Sequence, residues 1–454
     1  MARGKKKETL TPEDRLQAAL VPESEQPYPV PGNWCWVYWG VCGDFQAGSA
    51  FKNEYQGLTE YKIPFYKVGS LKYSDSNGIL YDASNTVNEE VRIKLKAALI
   101  PKNSIIFAKI GEAIRLNRRS INPVPCCIDN NLMSFHAKVC LTKYVYFWSL
   151  GIDLYNYTNA TTVPAIRKSD LEKVAFPLAP SAEQQRIVDR IESLFAKLDE
   201  AKQKAQDALD SVETRKAAIL HKAFTGELTA QWRKEHGVGM ESWETKKYSE
   251  ICNIVRGGSP RPAGSPEFYG GNIPFMKVAD ITRNTGPYVN STEYTIKEAG
   301  LKKTRMVDRN TLLLTNSGAT LGVPVICTFK TTFNDGIAAF LGLNPDTLLF
   351  HYYFWTSKTA ALRAINKGAA QPNLNTDIIG NVEISLPREN EQCEIVRLLD
   401  NLLAKEQQAK ESAEGVLEQI DLIKKAILAR AFRGELGTND PSEESAVELL
   451  KVIV

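Results

Sequence analysis

Two segments of the chain carry apolar residues in alternating steps of four and three, the pattern that predicts a coiled-coil helix. The apolar or small positions are Ile187, Ile191, Leu194, Leu198, Ala201, Ala205, Ala208 and Val212 in the first segment, and Ile395, Leu399, Leu402, Ala409, Ala413, Val416, Ile420, Ile423 and Ile427 in the second. At 1.5 Å per residue, ~40 helical residues form a rod ~60 Å long. The small alanines would let two such rods approach closely.

This pattern is interrupted once in each segment, by Arg215 in the first and by Glu406 in the second. A polar residue at such a position can fix the register of a coiled coil. A frayed, solvated stretch of helix would accept the same residues, so both interpretations stay open. The duplication and the apolar pattern together favour packing of the two helices on each other, and the alternative is that each helix packs on its own domain or on a partner helix.

The two segments are copies of one another. When the chain is shifted by about 208 residues, residues 174–228 align without a gap with residues 382–436. The Glu183-Gln184 pair then meets the Glu-Gln pair at 391–392. Self-similarity at a long period indicates an internal duplication.

A variable half precedes each helix, and the two halves match only at short anchors. Residues 63–68 read Ile-Pro-Phe-Tyr-Lys-Val and residues 273–278 read Ile-Pro-Phe-Met-Lys-Val, while Tyr-Phe-Trp occurs at 146–148 and at 353–355. Short β-rich runs among turn residues, followed by helical patches, predict a mixed α/β or α+β domain in each half.

These patterns divide the chain into seven segments. They are an N-terminal arm (1–29), a first variable half (30–180), a first repeated helix (181–225), a linker (226–242), a second variable half (243–388), a second repeated helix (389–433) and a C-terminal arm (434–454). The basic run from Arg3 to Lys7 suggests a disordered tail or weak phosphate contact. Residues 442–454 predict an amphipathic helix that lies beside the rod or binds a partner.

Composition narrows the class of protein without deciding its function. The chain is 43% hydrophobic and 24% charged, which is typical of folded globular proteins. Its 56 basic and 53 acidic residues give a net charge of +3. A nucleic-acid surface would therefore have to come from local clustering of charge.

Cysteine and histidine usage favours reduced thiols and no metal site. The eight cysteines form no CxxC pair, and the four histidines lack metal-ligand spacing. The sequence has no apolar run of ~18 residues, the length a membrane span needs, and its start does not read as a signal peptide. We therefore expect a cytoplasmic protein without membrane contact.

The sequence lacks the familiar catalytic and cofactor motifs. GxxxxGK[ST], GxGxxG, HExxH and GxSxG are all missing. Residues 122–125, Asn-Pro-Val-Pro, are superficially like the Asn-Pro-Pro-aromatic motif of amino-methyltransferases, but the second proline and the aromatic are absent, so a surface turn is the favoured interpretation. We predict no catalytic residue, no metal and no cofactor.

The repeated motifs carry a resemblance to a known family. Residues 180–188 read Pro-Ser-Ala-Glu-Gln-Gln-Arg-Ile-Val, residues 216–228 read Lys-Ala-Ala-Ile-Leu-His-Lys-Ala-Phe-Thr-Gly-Glu-Leu, and both recur in altered form in the second copy. Together with the segments before the helices, 160–167 and 370–375, they resemble the specificity subunit of type I restriction-modification enzymes. The resemblance runs from about residue 30 to about residue 437.

The resemblance implies a fold class and a function. The fold would be mixed α/β (α+β), with two similar target recognition domains joined by two long antiparallel coiled-coil helices in a pseudo-twofold arrangement. Each domain would read one half of a bipartite, asymmetric site in double-stranded DNA, and the coiled coil would set the gap. The subunit would not be catalytic itself.

The resemblance also implies partners. Two methyltransferase subunits would dock on the helices and bring S-adenosylmethionine, and motor-nuclease restriction subunits would bring ATP. We expect neither cofactor on this chain.

The loops after the anchors are predicted to contact DNA, because phosphates attract Lys and Arg while base edges favour Arg, Asn, Gln and small hydroxyls. The candidates are Lys67, Ser70, Lys72, Tyr73, Ser74, Lys109, Arg115, Asn117, Arg118 and Arg119 in the first half, and Lys277, Thr282, Arg283, Asn284, Thr315, Asn316, Ser317 and Thr320 in the second. For any single residue, an ordinary solvated side chain is the alternative.

Two further groups of residues have open interpretations. Gln371 and Asn373 either contact DNA or form the turn before the second helix. Trp34, Trp36 and Trp39 form either a core or a base-stacking platform.

Two other functions compete with DNA reading. The chain could be a scaffold that bridges other proteins through its helices. It could also be a standalone nuclease or methyltransferase, which the missing cofactor motifs disfavour.

Overall fold

The computed structural model describes residues 11–159, 162–318, 320–365 and 373–452. The chain divides into two compact units. The first unit contains Met1–Lys204 and Val416–Val454, and the second contains Ala205–Gly415. Each unit therefore combines one variable half with parts of both repeated helices.

Within the residues that the structure describes, the first unit contains nine strands. They are β1 (Cys35–Tyr38), β2 (Gly43–Ala47), β3 (Ile63–Tyr66), β4 (Thr86–Val87), β5 (Ser104–Ala108), β6 (Arg119–Ile121), β7 (Cys127–Ile128), β8 (Leu132–Ala137) and β9 (Ala175–Leu178). They pair as β2-β8-β5-β6, β4-β3-β7 and β1-β9. Strand β5 is central, and its apolar run is buried on both faces.

The described part of the second unit contains eleven strands. They are β10 (Glu244–Lys247), β11 (Asn253–Arg256), β12 (Tyr269–Met276), β13 (Tyr288–Val289), β14 (Tyr294–Ile296), β15 (Arg305–Val307), β16 (Thr311–Thr315), β17 (Pro324–Cys327), β18 (Thr331–Phe333), β19 (Ile337–Leu341) and β20 (Glu383–Leu386). They pair as β11-β19-β16-β17-β13, β14-β12-β18-β15 and β10-β20. The buried β16 takes the place that β5 holds in the first unit.

The helices complete both units. They are α1 (Pro12–Ala19), α2 (Glu89–Lys94), α3 (Thr142–Leu150), α4 (Lys168–Leu171), α5 (Ser181–Asp210), α6 (Val212–Phe224), α7 (Ala230–Glu235), α8 (Tyr248–Ile251), α9 (Val278–Thr282), α10 (Glu298–Leu301), α11 (Leu348–Ile365), α12 (Thr376–Gly380), α13 (Glu389–Ala431) and α14 (Val447–Lys451). The second repeated helix is α13, and the first is divided between α5 and α6.

Tryptophans lie in the core of the first unit. Trp34, Trp36 and Trp39 are all buried. Trp39 packs edge-on against Phe45 and against Trp148 of α3. These three tryptophans are therefore core residues, and the base-stacking alternative is wrong.

In the first unit, the beginning of α5 and the end of α13 run antiparallel. Ile187 and Ile191 lie in one buried cluster with Leu428. Further along α5, Lys424 Nζ donates to Asp199 Oδ1 at 2.6 Å. The start of α5 is also buried against its own variable half, so packing on the domain and packing between helices occur together.

The second unit repeats this arrangement with the roles of the helices exchanged. Leu220 of α6 lies in one buried cluster with Ile395 and Leu399 of α13. Arg215 and Glu406, the two residues that interrupt the apolar pattern, form an ion pair of 2.8 Å. The interpretation of these residues as a frayed, solvated site is therefore wrong.

Burial along the apolar pattern is uneven. Among the predicted positions, those that are buried are Ile187, Ile191, Ala205, Val212, Ile395, Leu399, Ala413 and Ile420, and those that are half-buried include Leu194, Leu198, Leu402 and Ile427. Val416 and Ile423 keep 40% and 42% of their surface exposed. The prediction that Val416 is part of an apolar seam is not matched by its burial within this chain.

The prediction of one unbroken helix over residues 181–225 is wrong at a single position. A turn at Ser211 separates α5 from α6. The Ser211 hydroxyl donates to the carbonyl oxygens of Asp207 and Ala208, so a side chain satisfies acceptors of the last turn of α5.

Candidate nucleic-acid interface

The loops predicted to contact DNA in the first unit start at one edge of its sheets. Lys67 follows β3, and the Asp129 N–H donates to the Tyr66 carbonyl at 2.9 Å, which joins the ends of β3 and β7. The Lys109 N–H donates to the Asn131 carbonyl at 2.8 Å, which brings the end of β5 to the same place. Residues that are far apart in the sequence are thus neighbours.

The second unit builds the same edge with the same backbone hydrogen bonds. The Asn334 N–H donates to the Met276 carbonyl at 3.0 Å, and the Asn316 N–H donates to the Gly336 carbonyl at 2.9 Å. Lys277 therefore corresponds to Lys67. By the same reasoning, Asn316 corresponds to Lys109 and Asn334 corresponds to Asp129.

A short helical turn follows the Ile-Pro-Phe strand in both units. The Lys67 N–H donates to Ser70 Oγ at 3.0 Å, and the Lys277 N–H donates to Asp280 Oδ2 at 2.7 Å. In each turn, a side-chain oxygen three residues on accepts from the backbone N–H of the lysine, as in one half of a capping box. The local geometry is therefore shared, while the residues that follow differ.

The segment before each repeated helix closes this edge. The Ile166 N–H donates to the Lys109 carbonyl at 2.9 Å, and the Leu374 N–H donates to the Asn316 carbonyl at 2.7 Å. The predicted junction residues 160–161 and 370–372, which include Gln371, lie outside the described residues. Asn373 is exposed and bridges to Ser317 through its backbone.

Four candidates of the first unit are exposed, namely Lys72, Tyr73, Arg115 and Arg118. The Lys72 ammonium lies 4.7 Å from the centroid of the Tyr73 ring. The Arg115 guanidinium lies 3.7 Å from the Tyr155 ring centroid and pairs with Glu112. These side chains can reach a phosphate or a base edge from the surface.

Four other candidates are buried, and we correct the expectation that they touch DNA directly. They are Ser70, Arg119, Thr315 and Asn316. Arg119 Nη2 donates to the Ile152 carbonyl at 2.9 Å, and burial lowers the pKa of its guanidinium to about 10. Such a side chain braces the loop from inside. Lys67, Ser74 and Lys109 are half-buried, and Ser74 Oγ lies 2.6 Å from Ser120 Oγ.

Asn117 holds the first unit's basic loop in place. Its backbone is left-handed, with a φ of 51°, and its side chain donates to the Ile152 carbonyl at 2.9 Å. Asn117 Oδ1 also accepts from the Leu154 N–H at 3.0 Å. Arg115 and Arg118 are therefore presented on a fixed loop.

The second unit presents a different set of groups. The Lys277 ammonium lies 3.2 Å from the centroid of the Tyr294 ring. Arg283 is 71% exposed at its side chain and pairs with Glu293 at 2.8 Å. Asn284 Nδ2 donates to the Gly286 carbonyl at 2.6 Å, while Thr282 and Ser317 are half-buried and Thr320 is exposed.

Sequence reasoning missed two residues of this edge, Asp129 and Asn334. Asp129 Oδ1 accepts from the Asn131 N–H at 2.9 Å, and burial raises the pKa of the carboxyl group. Asn334 Oδ1 is buried and has no hydrogen-bond partner among the described residues. Both residues fall between the matching anchors, so only the shared backbone hydrogen bonds identify them as equivalents.

The described residues contain no group of three or more His, Cys, Asp and Glu that could hold a metal ion. Among the helices described, none is long and apolar enough to cross a membrane.

Comparison with known proteins identifies the family. The profile described as "Type I restriction modification DNA specificity domain" matches residues 42–209 and 240–415, which is more than half of the chain. The chain belongs to this family. Each matched region of this specificity-domain protein holds one variable half and much of the repeated helix that follows it.

Several relatives of this chain are specificity subunits of type I restriction enzymes. The specificity subunit of the type I restriction enzyme EcoBI from Escherichia coli is 26% identical over 62% of this chain and 62% of its own length. The EcoKI specificity subunit from E. coli strain K12 is 22% identical over 60% of each chain. The chain therefore spans about three fifths of the length of these curated relatives.

Solved structures match the fold. The HsdS subunit from Thermoanaerobacter tengcongensis superposes with a TM-score of 0.63 at 20% identity, over 91% of this chain and all of that one. A second chain, solved for the complex assembly and conformational transition of the type I R-M system, gives a TM-score of 0.61 at 19% identity, over 90% of this chain and all of that one. The two-domain architecture of this specificity-domain protein is thus a known fold.

Proposed function

We propose that this protein is the non-catalytic specificity subunit of a type I restriction-modification complex. Each variable half reads one half of a bipartite, asymmetric site in double-stranded DNA. The observation that carries the proposal is the repeated edge described above, where the same backbone hydrogen bonds position different side chains.

The chemistry at equivalent positions supports two different half-sites. Counting from the shared lysine of the Ile-Pro-Phe anchor, Lys72 and Tyr73 stand where the second unit has Thr282 and Arg283. A lysine ammonium can donate to the O6 and N7 acceptors of guanine or hold a phosphate, and an arginine guanidinium can make a bidentate contact with the same guanine atoms. Two copies of one scaffold with unlike groups read unlike sequences.

In this proposal, phosphate contacts hold the duplex and base contacts supply the specificity. Exposed cations such as Arg118 hold the duplex through its phosphates, which carries no sequence information. Side chains that reach base edges in the groove supply the specificity.

The two repeated helices act as the ruler between the half-sites. The contacts inside each unit, Asp199 with Lys424 and Arg215 with Glu406, support antiparallel packing of the two repeated helices. A rod of ~40 residues, ~60 Å long, suits two half-sites separated by about one DNA turn of ~34 Å.

The helices also dock partner subunits. Val416, Leu422 and Ile423 leave 40%, 65% and 42% of their surface exposed on α13. Exposed apolar residues on a helix favour contact with another protein. Two methyltransferase subunits that carry S-adenosylmethionine, and motor-nuclease subunits that use ATP, are the proposed partners, in the cytoplasm.

The same exposed residues are what a scaffold without DNA binding would need. A shift assay separates the two functions when the methylating subunit is supplied with this chain. Sequence-specific retention of one duplex over its scrambled version supports DNA reading. Equal affinity for both duplexes, or no binding, would favour the scaffold.

A further inference from the structure

Arg215 and Glu406 stand out because they place a charge pair inside an otherwise apolar pattern. Arg215 Nε donates to Glu406 Oε2 at 2.8 Å, and the two side chains are 37% and 19% exposed. Arg215 Nη1 also donates to the Ala208 carbonyl at 3.2 Å, beside the break at Ser211. The arginine is therefore anchored to the end of α5 as well as to Glu406.

The duplication shows that this pair has no charged counterpart. A shift of 208 residues relates Arg215 to Ile423, and Glu406 to Leu198. The first unit thus has two apolar residues at the positions where the second unit has an ion pair. The pair breaks the symmetry of the two copies.

A nearby ion pair provides a comparison. Asp199 and Lys424 lie one residue beyond those apolar counterparts and are 2.6 Å apart in the first unit. Their own counterparts are Gln407 and Lys216. This pair lies outside the sequence positions that form the apolar pattern.

Two similar helices can pair in more than one way. The first repeated helix could pair with the second, or with the first repeated helix of another copy in the same antiparallel register. In the second case Arg215 would face Leu198 of the other copy, and a pair of second helices would set Glu406 against Ile423. Each arrangement leaves partly buried charges without partners, which is unfavourable.

We propose that Arg215 and Glu406 form a partner-selecting pair, which makes the first repeated helix accept the second repeated helix rather than a copy of itself. Polar residues at coiled-coil core positions are known to select partners in this way. The consequence rests on the proposed function: the selection keeps the two repeated helices of one chain paired with each other, so that its two different recognition domains read one asymmetric site.

The test uses full-length chains with reversed charges. In Arg215→Glu, positions 215 and 406 of one chain both carry a negative charge. In Glu406→Arg, both positions carry a positive charge. When the two variants are produced together with different tags, each first helix finds the opposite charge only on the other chain. We expect the tags to co-purify and light scattering to show an exchanged dimer, whereas tagged copies of the natural chain remain separate.

A matched control has the same charge changes beside the apolar pattern. Asp199→Lys and Lys424→Asp, placed on separate chains, should not co-purify. Exchange in this control to the same extent as in the Arg215 and Glu406 pair would overturn the proposal.

A second measurement applies if the single variants fold poorly. The double reversal Arg215→Glu with Glu406→Arg in one chain should recover the melting temperature that each single variant loses, and should behave as an unexchanged chain. Absence of this recovery, or absence of co-purification between well-folded single variants, would contradict partner selection. None of these measurements involves DNA, so their failure leaves the proposed DNA reading untouched.

Discussion

Trp34 Nε1 donates a hydrogen bond of 2.7 Å to Oε2 of the buried Glu183 carboxylate. Trp243 Nε1 makes the same bond, at 3.0 Å, to Glu391 in the second unit. The glutamate of the repeated Glu-Gln pair thus ties the first strand region of each variable half to the beginning of the helix that follows it. This explains why a tryptophan and a glutamate recur in both copies.

The two glutamates differ in their other partners. Glu391 forms a buried ion pair of 2.7 Å with Arg233. Glu183 instead accepts from the neutral Asn439 at 2.7 Å. In both units the glutamate therefore holds the segment that follows the other repeated helix.

Removing these carboxylates should have unequal effects on stability. Glu391→Ala leaves Arg233 buried without its partner, which costs about 3–5 kcal/mol. Glu183→Ala leaves neutral donors unpaired, at about 1–3 kcal/mol. Urea unfolding of the full chain, followed by tryptophan fluorescence, measures both. Equal losses would show that the ion pair adds nothing beyond the hydrogen bonds.

The stability of the second unit should depend on His351 in acid. The imidazole is buried, its Nδ1 lies 2.9 Å from the Tyr248 hydroxyl, and burial lowers its pKa from 6.5 to about 4. Between those values the unfolded chain binds a proton that the folded chain does not. The free energy of unfolding therefore has its full value above pH 6.5. It falls as the pH drops toward 4, by up to about 3 kcal/mol.

The variant His351→Gln isolates this contribution. It keeps a hydrogen-bonding group but cannot titrate, so its melting temperature should fall less steeply than that of the natural chain between pH 6.5 and 4. Parallel pH profiles for the two proteins would remove His351 as the cause.

Arg283 should read or grip DNA in the second half-site. If Arg283 is bidentate to a guanine, Arg283→Ala lowers discrimination at one base pair by ~1–3 kcal/mol. If it holds only a phosphate, binding weakens evenly across sequences and the salt slope shrinks by about one unit. Binding of the assembled complex to duplexes mutated one position at a time, at two salt concentrations, distinguishes these outcomes.

Glu293 provides the matched control, because its carboxylate forms an ion pair of 2.8 Å with the Arg283 guanidinium in the chain without DNA. Glu293→Gln should leave the preferred bases unchanged and increase affinity, since the arginine no longer has to leave its partner. If Arg283→Ala weakens binding only at the half-site assigned to the first unit, the two half-sites have been assigned to the wrong domains.

Lengthening the helices tests the ruler. One heptad inserted after Ala201, and another before Ile420 at the level that faces it, adds ~10 Å of rise in both helices and keeps the apolar pattern. The gap between half-sites should grow by about three base pairs at ~3.4 Å each. An unchanged gap would show that the length of the helices does not set the distance between the half-sites. The same heptad in one helix alone should disrupt folding.

Much of the architecture could be predicted from the sequence because long helices leave a periodic signal. The duplication and the positions of Arg215 and Glu406 were readable from residue spacing. The break at Ser211 was not, since neither proline nor glycine marks it in the sequence.

The candidate DNA edge was predictable only in outline. The anchors located the loops, but burial depends on neighbours that are distant in the sequence. Arg119 reads as a surface cation until the Ile152 carbonyl, 33 residues away, is seen to accept from it. Asn334 gave no signal at all, because its equivalence to Asp129 exists only in the backbone pairing of the strands.

The most direct test of DNA reading is methylation sequencing of cells that carry this chain with its methylating subunit. We predict one methylated motif with two unlike halves separated by a fixed gap of unspecified bases. The two halves should respond separately, so that Arg283→Ala alters one half and leaves the other unchanged. A palindromic motif, a continuous motif, or methylation without any sequence preference would contradict the account.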